Sequence, residues 1–498
     1  MMLIACRLTV LAQPAYRVEA QVSATTGDNT PLWLNANKHG LSSLKNNNGY
    51  LRAALLNPIH GDTSKISFGY AADAALAYGY TSTAVIQQAY AEVGWHRLRL
   101  TAGSKEYPME LKNRRLSTGS QTLGENARPV PQLRVALDDY WMVPGLRQWI
   151  GVKGHVAYGL TTDDGWQRDF VAPDNRYTED AMYHSKAAYL RIGPRRVVFE
   201  IGMEEACQFG GRSHMRQPDG KMQIVRGDKD LKAFWHALIP GGSDETDGPF
   251  SNKMGNHLGS WLARLTVDQP SWAAKVYVDH FFEDDSQLTH LSFDGYGTGV
   301  EKNKHKKNRY FLYDFSDCLL GMEIELKDSR WISHAVVEYM HTKYQGGPVY
   351  HDHTATISEH ICGRDNYYNH GVYTGWQHWG QPIGNPLYTA PLYNADHQIM
   401  FENNRFVAWH LGADGHPAEN LQWRLLATWQ RGYGQYIAAF EDPRETLSMM
   451  AEAEYSFPQS SRLKGWSARC SVGFDSGKLI GDNLGLQLTI IRSGMLKK

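Results

Sequence analysis

Apolar residues recur at every second position along this chain, in segments of about eight to eleven residues. In YRVEAQVSA, Tyr16, Val18, Ala20 and Val22 alternate with Arg17, Glu19, Gln21 and Ser23. In HRLRLTAG, Leu98, Leu100 and Ala102 alternate with Arg97, Arg99 and Thr101. A strand sends successive side chains to opposite faces, so each segment reads as a strand with one apolar and one polar face. Trp261, Ala263, Leu265 and Val267 form one such face, and Trp272, Ala274, Val276 and Val278 another. The turn Asp268-Gln269-Pro270-Ser271 joins them, so the pair is expected to be an antiparallel hairpin. The last third is clearest: Leu421 to Trp429, Ala451 to Phe457, Trp466 to Phe474 and Leu484 to Ile490 all alternate.

Alternation alone fits a soluble sandwich as well as a membrane barrel. Two features favour the barrel. Apolar faces carry an aromatic at the strand end (Trp261, Trp272, Trp466, Phe474, Phe457), where membrane barrels meet the headgroups. The opposite faces carry full charges, as a hydrated lumen allows. No apolar run approaches the roughly 18 residues of a spanning helix. A mean hydropathy of -0.48 fits strands that are greasy on one side only.

The chain has 498 residues, with Lys+Arg 51 against Asp+Glu 52, a net charge of -1. That balance makes no electrostatic case for nucleic acid. Met2 to Ala12 is largely apolar and is expected to be a shortened secretory leader, with cleavage after Ala12. Residues 13–498 are then one barrel domain, with long loops near 105–131, 210–255, 282–310 and 346–404. None of the five cysteines, Cys6, Cys207, Cys318, Cys362 and Cys470, makes a zinc spacing. Cys470 sits among outward apolar positions as a small hydrophobe. One helix is expected over Asp228 to Leu238, capped by Asp228, packing through Leu231, Phe234, Trp235 and Leu238.

Several motifs carry a resemblance. They are PLWLNANKHG (Pro31 to Gly40), GSKEYPMELKNRRLSTGSQTLGENARPVPQL (Gly103 to Leu133), YHSKAAYLRIG (Tyr183 to Gly193), Gly202-Met203-Glu204 leading to Gln208-Phe209-Gly210-Gly211, GNHLGSW (Gly255 to Trp261) and HFFEDDSQL (His280 to Leu288). The aromatic stretch GRDNYYNHGVYTGWQHWGQPIGNPL (Gly363 to Leu387) completes the set. In this order they resemble the capsule-assembly Wzi family of Gram-negative outer-membrane proteins. The resemblance implies an all-β fold, a large antiparallel transmembrane β-barrel of about 18 strands with short helical elements at the periplasmic end or in loops. It implies a lectin-like role in attaching capsular polysaccharide, without catalysis. Barrels of this kind commonly end in an aromatic residue, whereas this chain ends Met495-Leu496-Lys497-Lys498.

The stretch from Gly363 to Leu387 matches neither helix nor strand periodicity. A polysaccharide offers flat C–H faces and hydroxyls, which aromatic walls and directed polar groups can bind. Tyr367, Tyr368, Tyr373, Trp376 and Trp379 supply candidate walls. Arg364, Asp365, Asn366, Asn369, His370, His378 and Asn385 supply candidate polar groups. The plainer alternative is that these side chains plug the lumen without touching ligand.

Other clusters are read as structural. Glu283-Asp284-Asp285 is expected in a solvated or salt-bridged loop, ahead of calcium binding or glycosidase chemistry. His351-Asp352-His353 has no third metal ligand in view. The basic run from Glu301 to Arg309 is a solvated loop, or a contact for acidic polysaccharide and lipopolysaccharide phosphate. Asn126-Ala127-Arg128-Pro129-Val130-Pro131 is a rigid turn whose Arg128 can fork onto a carboxylate. No GxSxG, Walker A or HExxH occurs, and no cofactor or metal is expected. The sequence therefore points to a non-enzymatic, monomeric outer-membrane protein whose partners are surface polysaccharide, outer-membrane lipid and lipopolysaccharide. A diffusion channel is the second reading and a surface glycoside hydrolase the third.

Overall fold

The computed structural model describes residues 13–216, 219–239, 255–283, 317–345 and 365–496. The leader expected over residues 1–12 lies outside the described residues. So do Asp284, Asp285, the run from Glu301 to Arg309, His351-Asp352-His353, Cys362 and Arg364.

Eighteen strands form a single antiparallel sheet. They are β1 (Ala15–Gly27), β2 (Asn47–Asn57), β3 (Thr63–Tyr78), β4 (Ala84–His96), β5 (Leu98–Ser104), β6 (Gln132–Met142), β7 (Ile150–Leu160), β8 (Met182–Ile192) and β9 (Val197–Phe209). The series continues with β10 (Asn256–Asp268), β11 (Trp272–Glu283), β12 (Cys318–Leu326), β13 (His334–His341), β14 (Phe406–Ala418), β15 (Leu421–Gly434), β16 (Ala439–Ser456), β17 (Trp466–Gly477) and β18 (Asn483–Met495). Each pairs with its successor, and β1 also pairs with β18, from Ala15 opposite Met495 to Gly27 opposite Asn483. The sheet is thereby a closed barrel without free edges. The hairpin expected around Pro270 is β10–β11, with Asp268 opposite Ala273.

The apolar faces point outward. Val18 and Val22 are 41% and 62% exposed, while Glu19 and Gln21 beside them are 3% and 5% exposed. Leu98 and Leu100, Val276, Leu425, Leu486 and Leu488 are exposed in the same way, and Trp272, Trp466 and Phe474 mark strand ends on this exterior. Cys470 is exposed among them, and Cys207 and Cys318 are buried free thiols. No helix among the described residues is long and apolar enough to cross a membrane.

The connections after β1, β5, β7, β9, β11 and β13 are long and leave one end of the barrel; short turns such as 193–196, 269–271 and 419–420 close the other. Among the described residues the helical elements all lie in those long loops: α1 (Leu32–Asn35), α2 (Trp166–Phe170), α3 (Leu231–Leu238) and a 3-10 turn at Pro391–Tyr393. In α3 the cap is Asp230, not Asp228; its carboxyl accepts from Ala233 N at 2.8 Å. Of the stripe expected from the sequence Phe234 packs, beside Ala233 and Ala237, whereas Leu231 and Trp235 are exposed.

The largest apolar cluster sits inside the barrel. Leu32, Trp33, Leu116, Tyr368, Trp376, Tyr388 and Phe401 from the loops pack on Leu258, Phe281, Leu319, Val336 and Met340 of the wall. The loops thus fold back as a plug.

Leu488 faces out near the middle of β18, beside Val22 and Cys470. Leu488→Arg is expected to lower folding stability by about 2–4 kcal/mol, the cost of a cation at the lipid midplane. Reversible denaturant unfolding in lipid vesicles measures it, and an effect near zero would refute the lipid-facing assignment.

Candidate functional site in the barrel lumen

Three loop segments make the plug: 28–46, 105–131 and 365–405. They are tied to one another through backbone groups. Asn126 accepts from Asn37 N at 2.9 Å and donates to Pro382 O at 3.2 Å. Asn385 donates to Gly119 O at 2.8 Å.

Wall carboxyls hold this assembly. Glu338 on β13 accepts from Thr118 N at 2.8 Å, Thr118 Oγ1 at 2.7 Å, Ser117 Oγ at 2.5 Å and the Tyr277 hydroxyl at 2.6 Å. Asp279 on β11 accepts from Gln121 N at 3.0 Å and pairs with the buried Lys112 ammonium at 2.7 Å. Glu204 on β9 accepts from Leu123 N at 3.3 Å and the Tyr189 hydroxyl at 2.6 Å. Asp475 on β17 accepts from Leu32 N at 3.0 Å. Glu283 accepts from Tyr368 N and is 5% exposed, so it is a buried anchor for the plug rather than part of a solvated loop. Such loop N–H groups need partners once buried, and the carboxyls need donors.

The predicted site residues from Asp365 to Asn385 lie within this plug. Tyr367, Tyr368, Tyr373 and Trp376 are at most 1% exposed and present no face to solvent. Tyr367 donates to Asp317 at 3.1 Å, and Trp376 Nε1 donates to Thr122 O at 2.9 Å. Tyr373 donates to Gly210 O at 3.2 Å, and the Tyr368 ring stacks on Tyr388 with centroids 3.8 Å apart. Asn369 exchanges hydrogen bonds with the Phe401 backbone, and Asn366 donates to Gln435 at 3.1 Å. Asp365 is buried beside them. His370 Nδ1 accepts from Val372 N at 3.0 Å; burial pushes its pKa down to about 3. His378 lies between Arg128 O and Thr162 O at 2.8 and 2.9 Å; burial outweighs those contacts and its pKa falls to about 4. Both rings are neutral at pH 7. Trp379 is half-buried under the Arg128 guanidinium, 4.1 Å from its ring centroid. Arg128 also donates to Thr81 at 2.8 Å and Ser82 at 3.1 Å, so it meets an indole and two hydroxyls rather than a carboxylate, one of the partners open to it.

Between residues 105–130 and the inner wall of β6–β9 the plug leaves a cavity of about 340 Å³. That volume falls among ordinary ligand pockets, ~300–1,000 Å³. Tyr107, Tyr183 and Tyr189 give it aromatic faces; Lys105, Arg134, Lys153, Glu106, Glu110 and Glu204 give it charge. Its cations lie over rings: Arg134 is 4.0 Å from the Tyr107 centroid, and Lys153 is 5.1 Å from that of Tyr189. Exposed Asp138 and Asp139 stand at its short-turn side. Four atoms of lining residues, Arg134 Nε, Gln132 Oε1, the Tyr107 hydroxyl and Arg128 Nε, are buried without a hydrogen-bond partner among the described residues. The set suits a neutral or charged polyhydroxylated ligand, with rings for flat faces and a spare donor and acceptor for hydroxyls. Sequence reasoning did not single out these wall residues; their only signal was placement on the polar side of strands flanking a long aromatic loop. Among the described residues no group of His, Cys, Asp and Glu could hold a metal ion.

The family model described as capsule assembly protein Wzi matches residues 15–376. Wzi of Escherichia coli, described as an outer-membrane protein involved in group 1 capsule assembly and a carbohydrate-binding β-barrel, superposes with a TM-score of 0.57. The two are 13% identical, over 96% of this chain and 85% of the other. OccK8 (OprE) of Pseudomonas aeruginosa is 7% identical over 97% of this chain and 98% of the other, with a TM-score of 0.46. OccAB4 of Acinetobacter baumannii is 9% identical over 98% and 99%, with a TM-score of 0.44. No curated protein matches the chain.

Glu338→Ala removes three contacts between wall and plug, and one within the wall, and leaves buried donors unpaired, each at about 1–3 kcal/mol. The expected outcome is a barrel that keeps its heat-modifiable gel mobility but gains steady conductance in planar bilayers. Wild-type-like closure of the variant would show that the plug does not depend on Glu338.

Proposed function

The chain belongs to the Wzi capsule-assembly family, and from that premise we propose that it is a non-enzymatic, lectin-like barrel of the Gram-negative outer membrane. It binds exported capsular polysaccharide and holds it at the cell surface. The long loops face outward and the short turns face the periplasm, the usual arrangement of such barrels.

The observation that carries this reading is the tyrosine-lined cavity with its unpartnered Arg134 Nε and Gln132 Oε1. A buried polar atom without a partner costs free energy in the empty protein and gains a bond when a hydroxyl arrives. The stretch from Asp365 to Asn385 serves binding as scaffold. Its rings fill the lumen, fix residues 105–131 against the wall and so shape the cavity. A diffusion channel is the weaker reading, because fully buried Trp376, Tyr368, Tyr388 and Phe401 occupy the lumen that a channel needs.

Arg134→Ala is expected to reduce cell-bound capsule and raise shed capsule while the bilayer stays electrically tight. Trp376→Ala, by contrast, is expected to lose capsule and tightness together, because it removes a plug support. Capsule retention assayed beside conductance separates the contact from the scaffold. Full retention in Arg134→Ala and in Tyr107→Ala would remove the cavity from the proposal.

A further inference from the structure

Helix α3 packs on the outside of the barrel. On β9, Val197, Phe199 and Ile201 are exposed, and the same face continues through Met203, Glu205, Cys207 and Phe209. Yet Glu205, Cys207 and Phe209 are at most 3% exposed. Ala233 and Ala237 pack with Cys207 and Phe209, and the Phe234 ring lies 5.2 Å from Phe209 and 5.1 Å from Tyr158, another outward residue.

The wall beneath α3 differs from the rest of the exterior. Outward positions here are ionisable: Lys186 on β8 pairs with Glu205 at 3.0 Å, and His257 on β10 approaches Glu205 at 3.6 Å and Cys207 at 3.4 Å. Further along the same strands the outward side chains are apolar, such as Ile192, Ile201 and Leu265. Lipid against Lys186 and Glu205 would be costly. The helix roofs them, and Lys186 Nζ donates to Leu238 O, a free carbonyl at the C-terminus of α3.

The roof is itself greasy. Leu231 is 89% exposed, Trp235 58% and Ile239, just past the helix end, 49%. At 3.6 residues per turn Leu231 and Trp235 lie on the side of the helix opposite Ala233 and Ala237. A helix facing water would present polar residues there. This one restores the apolar surface that the wall beneath it lacks, next to the lipid-facing belt.

We propose that α3 is an interfacial helix, whose Leu231, Trp235 and Ile239 insert at the boundary between headgroups and acyl chains in the leaflet at the long-loop end. Trp at that depth and a helix lying in the interface plane are both favoured there. The inference rests on the lipid-facing belt, not on polysaccharide binding. The full chain is refolded into phosphatidylcholine vesicles, either unbrominated or brominated near the top of the acyl chain. The emission of Trp235 is taken as the difference between wild type and Trp235→Phe. That difference is expected to fall by about half or more with brominated chains, as for an indole at headgroup level, and to resist aqueous iodide. A difference indifferent to bromine overturns the proposal: quenching by iodide then assigns Trp235 to water, and quenching by neither assigns it to a protein cover. Photo-crosslinking from benzoylphenylalanine at Leu231 gives a second reading. A lipid adduct supports the insertion, and a protein adduct in its place refutes it.

Discussion

Inside the barrel, the strands need partners for buried carboxyls and the loops need partners for buried backbone N–H groups, and each supplies the other. A closed antiparallel sheet with an apolar exterior must turn its polar side chains inward. Water satisfies them in an open lumen. Here Glu338, Asp279, Glu283, Glu204 and Asp475 are satisfied by main-chain donors of the plug. One glycine makes the strongest of these anchors. Tyr277, Gly321 and Glu338 stand side by side on β11, β12 and β13. A Cβ on Gly321 would come within 2.2 Å of the Tyr277 ring. Its absence lets that ring lie across β12 and deliver its hydroxyl to Glu338.

The proposed function follows from what this exchange leaves over. Where carboxyl meets N–H, protein fills the lumen, and the aromatic rings of residues 365–405 pack as an ordinary core. Where residues 105–130 pass β6–β9 the exchange is incomplete, and the cavity with its spare donor and acceptor remains. A barrel closed in this way is poorly suited to diffusion and well suited to presenting one shaped polar surface. Family membership and cavity chemistry therefore point the same way from independent grounds.

The barrel was legible in the sequence because period-two patterning survives whatever lies on either side of the sheet. Val18 and Glu19, or Leu488 and Gln487, declare opposite faces without reference to the rest of the chain. The role of Asp365 to Asn385 was not legible to the same depth. Tyr, Trp, Asn and His build a buried, hydrogen-bonded plug as readily as a sugar site, and only the positions of Thr122 O, Asp317 and Gly210 O show that the Trp376, Tyr367 and Tyr373 polar atoms are already engaged. The partner of Arg128 was not legible for a similar reason: a guanidinium suits an indole face as well as a carboxylate, and Trp379 is distant in sequence.

Helix α3 shows where pattern reading reverses. In water the greasy stripe of a helix packs and the small residues face out. On the outer wall of a barrel the solvent is lipid, so burial in protein no longer separates apolar from polar residues; closeness of approach does. Ala233 and Ala237 allow the helix to lie tight on Cys207 and Phe209, while Leu231 and Trp235 gain as much from acyl chains as from a core. The plug and α3 are thus one solution applied on two sides of the same wall. Each is a loop folded back to cover polar side chains that its neighbouring solvent would not satisfy, with backbone groups as the fastening: Thr118 N on Glu338 within, and Leu238 O on Lys186 without.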